Sequence, residues 1–207
     1  MKTILWDFNG TILDDARLCH DILNRMLVEA ERPPVTFEEY LMVFTFPIKD
    51  YYAKVYDLKK TSFDYLARRF IDFYQPESLA LTLHENVLEV ITYFAVKGYR
   101  NVLLSASEIN NLRAQLEHFR IDHLFDDILG IDDIRATSKA HVAKAFMQKE
   151  KLDPKDVVVI GDTLHDAEVA KAINARIILY SKGHQHRSRL EKHVLIDDFY
   201  RLIDIID

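Results

Sequence analysis

Two apolar runs in this chain each end in acids. ILW leads into Asp7, Asn9, Gly10 and Thr11, and VVVIG leads into Asp162 and Asp166. Carboxylate oxygens are the preferred ligands of Mg²⁺, and a parallel sheet gathers the carboxyl ends of its strands on one edge, where open α/β folds bind ligands. Asp7, Asp162 and Asp166 are therefore expected to meet around a hard cation, although they lie far apart along the chain. Gly10 and Gly161 sit inside the two acidic loops, where a missing side chain lets backbone approach a ligand. Asn9 is the odd residue: an amide among acids.

The elements that must position these residues are legible as pattern. After the first strand, residues 14 to about 84 read as helices only, with apolar residues at three and four spacing. They are DDARLCHDILNRMLVEA, TFEEYLMVF, PIKDYYAKVY and SFDYLARRFIDFYQ, with Pro33, Pro34, Pro47 and Pro76 expected between them. From residue 84 strand and helix alternate: ENVLEVITYFAVKG, YRNVLLS, NNLRAQLEHF, DDILGI, KAHVAKAFMQKE, DVVVIGD, DAEVAKAI, ARIILY and a final HVLI. Alternation of this kind predicts an α/β fold with a doubly wound parallel sheet. The expected division is a core of residues 1–13 and 85–207 and an inserted all-helical domain of residues 14–84.

Composition narrows the function classes. The 207 residues are 49% hydrophobic, enough to bury a substantial core. A net charge of −6 without a Lys/Arg block argues against nucleic acid as a partner. No run of about 18 apolar residues is present to span a bilayer, and the N-terminus lacks a secretory pattern, so no membrane association and a cytoplasmic location are expected. Cys19 is the only cysteine, which excludes an intramolecular disulfide and a thiolate metal centre. The stretch SKGHQHRSRL reads equally as a solvated turn and as a phosphate contact. Nothing in the sequence bears on oligomeric state.

Four motifs in order, DFNGT at 7–11, LLSAS containing Ser105, TSKAH containing Lys139, and GDTLHD at 161–166, resemble the haloacid dehalogenase superfamily. Within it the chain is most similar to small phosphatases of the phosphoglycolate phosphatase-like group, whose Rossmann-like core carries a helical cap after the first strand. The resemblance implies a Mg²⁺-dependent phosphatase acting on a small phosphorylated metabolite. By it Asp7 is the nucleophile that forms an aspartyl phosphate, and Lys139 supplies fixed positive charge. Gly10, Thr11, Ser105 and the Ala106 backbone would contact phosphate, and Asp7, the Asn9 carbonyl, Asp162 and, from behind, Asp166 would hold the metal.

The chain departs from that pattern at Asn9, where family phosphatases have a second aspartate that serves as general acid and base. An amide exchanges no proton near neutral pH, and such help is worth about 10² to 10⁴ in rate. Three readings follow: a phosphatase that recruits His165, a cap residue or water; a phosphate-binding regulatory protein; or another hydrolase of the superfamily. A phosphonate hydrolase would need a cap lysine, for which Lys49 and Lys54 are candidates. Asn9 also precedes Gly10, the dipeptide most open to deamidation, which would create an acid at that position. Other residues have plainer expectations. Asp14 and Asp15 are expected to cap the first insert helix, Lys144 rivals Lys139, and His165, His184 and His186 are expected to face solvent. Tyr51 and Tyr52 are expected in the core of the insert.

Overall fold

The computed structural model describes residues 2–132, 134–135 and 138–206. Strand β1 (Thr3–Trp6) is followed by helices α1 (Ala16–Glu29), α2 (Phe37–Val43), α3 (Ile48–Val55) and α4 (Phe63–Ser78). Then α5 (Val87–Val96), β2 (Arg100–Glu108), α6 (Ile109–Phe119), β3 (Asp127–Ile131), α7 (Ala140–Glu150), β4 (Val157–Gly161), α8 (Leu164–Ala172), β5 (Arg176–Tyr180), β6 (Leu195–Ile196) and α9 (Arg201–Ile206) alternate as expected. Among the described residues the six strands form one parallel sheet in the order β3-β2-β1-β4-β5-β6.

Helices cover both faces because successive strand residues point to opposite sides. Ile4, Trp6, Leu103, Ile160 and Ile178 pack under α5, α6 and α9, whereas Leu5, Val102, Leu104, Val157 and Val159 pack under α7 and α8. Burial on both faces explains the unbroken apolar runs. The chain leaves β1 towards β2 on one side, while β4 lies on the other. The order therefore reverses between β1 and β4, the position at which such sheets open a crevice. Trp6 is level with Ile160 and Leu103, so Asp7, Asp162 and Ser105 emerge together at that crevice.

The helical insert has its own core. Ile22, Leu23, Met26 and Leu27 form one face of α1 and pack against Tyr40, Tyr51, Tyr52, Leu66 and Tyr74. Helix α2 begins with a capping box between Thr36 and Glu39. Local expectations needed adjustment at four places. Pro76 lies inside α4, near its end, where its missing N–H removes one bond of the helical ladder and the helix stops two residues later. Helix α1 starts at Ala16, β2 continues to Glu108, and β6 has only two residues. No helix among the described residues is long and apolar enough to cross a membrane.

Candidate active site

The strand ends bring the predicted acids together. Carboxylate oxygens of Asp7, Asp162 and Asp166 lie within 4.8 Å of one another, all buried. Asp7 is anchored where the β1 ladder ends, its N–H donating to the Ile160 carbonyl at 2.8 Å. Lys139, the residue before α7, buries its ammonium among them. It contacts Asp7 Oδ1, lies 2.7 Å from Asp166 Oδ1 and donates to the Leu104 carbonyl at 3.0 Å. Lys144 is exposed on α7 and takes no part.

Protein groups hold each carboxylate in place. The Thr11 hydroxyl stands 3.2 Å from Asp162 Oδ1 and 3.4 Å from Asp7 Oδ2. Asp162 Oδ2 accepts the His184 N–H at 2.6 Å. Asp166 Oδ2 accepts from the Thr163 N–H and hydroxyl at 3.0 and 2.7 Å. Glycine is required on steric grounds: a Cβ at Gly10 or Gly183 would overlap the Asp162 side chain, and one at Gly161 that of Asp166. These glycines let carboxylates, and not only a ligand, approach the backbone.

Three buried carboxylates face one ammonium, an excess of negative charge. Burial, aided by repulsion from Asp166 and Asp162, holds the Asp7 carboxyl well above its usual range despite the Lys139 ammonium beside it. Asp162 is pushed up to about 6, chiefly by burial. Asp166 is lowered: burial opposes ionisation, but the Lys139 ammonium beside it prevails. An all-oxygen donor set with uncompensated negative charge fits a hard divalent cation such as Mg²⁺.

Ser105 and Ala106 line the same pocket as Asp7, Lys139, Asp162 and Asp166. Gly10 and Thr11 do not, because the Gly10 N–H is spent on Asp15 Oδ1 at 2.7 Å and the Thr11 hydroxyl on the carboxylates. Their placement supports the loop. Asn9 is held on both sides. Its Nδ2 donates to Asp15 Oδ2 at 2.8 Å and to the Tyr74 hydroxyl at 2.6 Å, and its Oδ1 accepts from the Ser107 hydroxyl at 2.8 Å.

Sequence reasoning missed Asp15, Tyr74, Ser107 and His184. Asp15 makes no capping bond to α1. It is buried and takes bonds from Asn9, Gly10, the Tyr74 hydroxyl at 2.6 Å and His184 Nε2 at 3.0 Å. His184 Nδ1 is 2.7 Å from the Tyr40 hydroxyl, and its ring stacks on Phe44 at 4.8 Å. Burial would depress the His184 imidazole, yet Asp15, reinforced by Asp162 and Asp7, lifts it to about 9. His165 is buried too, accepting the Lys139 N–H at 3.4 Å and stacking on Phe46 at 4.5 Å. Burial and the neighbouring Lys139 lower its pKa. Only His186 remains partly exposed. The single local signal for His184 is the glycine before it; the partners of Asp15 come from α4 and the loop after β5.

Other candidates fall away. Tyr51 and Tyr52 are core residues of the insert, as expected. Lys49 and Lys54 are exposed and do not line the pocket around Asp7. Asn9 deamidation is opposed by geometry, because the amide and the Gly10 N–H are both hydrogen-bonded to Asp15.

A model of the family described as haloacid dehalogenase-like hydrolase matches residues 4–180. A phosphoglycolate phosphatase of Cereibacter sphaeroides is 24% identical over 214 residues, covering 100% of this chain and 98% of the relative. Among solved structures, a haloacid dehalogenase-like hydrolase from Streptococcus pneumoniae superposes with a TM-score of 0.85 at 16% identity, covering 100% of this chain and 99% of its own. A conserved haloacid dehalogenase-like protein from Agrobacterium tumefaciens gives 0.79 at 19% identity, covering 100% and 97%. At those identities the structures attest the fold alone.

Proposed function

We propose that this chain, which belongs to the haloacid dehalogenase-like hydrolases, is a Mg²⁺-dependent phosphatase that cleaves a small phosphorylated metabolite through an aspartyl-phosphate intermediate. The observation that carries this reading is the buried cluster of Asp7, Asp162 and Asp166 around the Lys139 ammonium at the carboxyl edge of the sheet. The phosphatase relatives support it. A carboxylate must approach a phosphate dianion, and their repulsion demands fixed positive charge at the reacting centre.

Asp7 attacks phosphorus and forms the acyl phosphate, while the ester oxygen departs. Lys139 steadies the charge on Asp7 and on the transferring group, and Asp166 and His165 hold the lysine in position. Ser105 and the backbone beside Ala106 orient the phosphoryl oxygens. Asp7, Asp162 and the Asn9 carbonyl would hold Mg²⁺, with Asp166 behind them. Bound there, the ion would offset the charge of both anions. The insert serves as the cap: Phe44 and Phe46 reach His184 and His165 at the rim and exclude water. Asn9 donates a hydrogen bond but no proton, so turnover of esters with poor leaving groups is slow.

The test is phosphate release from acetyl phosphate, whose leaving carboxylate needs no proton, with and without Mg²⁺. Wild type should be active with the ion only, and Asp7→Asn inactive. Equal release by Asp7→Asn would end the covalent reading.

A further inference from the structure

Beside the pocket that holds Asp7 lies a second, larger cavity of about 140 Å³. Its walls come mostly from the insert and are apolar, among them Phe44, Phe46, Ile48, Phe70 and Ile71. Asn9, Ala106 and His184 line both spaces. A molecule with its phosphate against Asp7 therefore projects its remaining part past Asn9 into this cavity. A dry apolar cavity of about 150 Å³ accepts one benzene ring.

Among the described residues lining the cavity the one cation is the His184 imidazolium, and it is bound to Asp15. Asp15 and Glu108 are acidic, the His184 ring is tied to Asp15, and no lysine or arginine lines the cavity among the described residues. A carboxylate on the leaving group, as in phosphoglycolate, would meet no cation that is not already paired with Asp15 and would be desolvated against aromatic rings. Proton supply points the same way. The Asn9 amide gives no proton, both ring nitrogens of His184 are bonded to Asp15 and Tyr40, and the Tyr74 hydroxyl donates to Asp15. The ester oxygen must leave as an anion. A phenol oxygen does so far more readily than an alcohol oxygen, its pKa being about 10, as in tyrosine.

Building on the phosphatase reading above, we infer that the substrate is an aryl monophosphate, a single aromatic ring bonded directly to the ester oxygen. An electron pair of Asp7 forms the new oxygen–phosphorus bond, and the bond to the aryl oxygen breaks with its pair leaving as phenoxide. Water then hydrolyses the aspartyl phosphate to carboxylate and hydrogen phosphate, releasing one proton, and the phenoxide takes up one.

Steady-state kinetics with Mg²⁺ on phenyl, benzyl and ethyl phosphate, phosphoglycolate and acetyl phosphate test this. Phenyl phosphate should exceed ethyl phosphate and phosphoglycolate in kcat/KM by about 100-fold or more, since leaving-group help is absent. Benzyl phosphate should match phenyl phosphate in KM within about threefold, because ring burial is shared, and fall at least about tenfold lower in kcat. Ile71→Arg should lower the preference for phenyl phosphate over phosphoglycolate by about tenfold or more, by placing a cation in the cavity wall. Should that variant not fold, competitive inhibition of wild-type acetyl phosphate hydrolysis substitutes: phenylphosphonate should bind about tenfold more tightly than phosphonoacetate. Phosphoglycolate or ethyl phosphate turned over as well as phenyl phosphate, or tighter phosphonoacetate, overturns the aryl class. With acetyl phosphate still hydrolysed, the phosphatase reading survives that result. No Mg²⁺-dependent release from any compound overturns both.

Discussion

Replacing Asn9 with aspartate, which at the level of sequence looks like a repair, would set a second carboxylate beside Asp15. The Asn9 amide nitrogen lies 2.8 Å from Asp15 Oδ2 and 2.6 Å from the Tyr74 hydroxyl, which itself donates to Asp15. Two ionised carboxylates about 3 Å apart repel by about 5 kcal/mol at an effective dielectric of about 20. The alternative is to keep one protonated, which at pH 7 costs about 4 kcal/mol for a group with an ordinary pKa of about 3.9. The proton then restores a charge-assisted hydrogen bond worth about 1.5 to 3 kcal/mol. The cheaper route leaves Asn9→Asp less stable than wild type by about 1 to 3 kcal/mol at pH 7.

Because that route takes up a proton on folding, the loss shrinks as pH falls, by about 1.4 kcal/mol per unit down to about pH 5. Urea unfolding of wild type, Asn9→Asp, Asp15→Asn and the double variant at pH 7 and pH 5 reads these quantities directly. The double variant exchanges acid and amide across the contact, so the cycle should give a favourable coupling of about 1 to 3 kcal/mol. Asn9→Asp within about 0.5 kcal/mol of wild type at pH 7, or an equal loss at both pH values, would refute the reasoning.

Lys139→Met should cost about 3 to 5 kcal/mol by stranding Asp7 and Asp166, whereas Lys144→Ala should stay within about 0.5 kcal/mol; both are measurable by denaturant unfolding. Gly183→Ala should destabilise by about 1 to 3 kcal/mol, since its Cβ meets the Asp162 carboxylate, and unchanged stability would dispute the tight backbone approach. Mg²⁺ should raise the melting temperature of wild type with a logarithmic dependence on concentration, and this rise should vanish in Asp162→Asn. Peptide mass mapping of protein aged in its native state should find Asn9 intact, while urea-unfolded protein deamidates there.

The alternation of apolar strands with helices, the helical stretch after β1 and the convergence of Asp7 with Asp162 and Asp166 were all legible in the sequence. Each follows from local rules: period-two and helical apolar spacing, and the shared direction of parallel strands. Lys139 is separated from Lys144 by the resemblance, and in the folded chain its ammonium lies between two acids.

Other features depended on long-range packing. Asp15 stands at the start of α1, where a carboxylate ordinarily caps, yet Asn9, Tyr74 and His184 draw it into the site from three separate parts of the chain. His184 occupies a loop that looks solvated, but Tyr40 and Phe44 of the insert cover it. The apolar cavity belongs to no single helix: residues patterned as the insert's core leave a space where the insert meets Asn9 and Ala106. Apolar periodicity and strand direction are local properties of the chain, so the sequence by itself determined the sheet and its acids. Which polar side chains lose their water, and against what, depends on how the insert packs onto the core, and only the tertiary structure decided that.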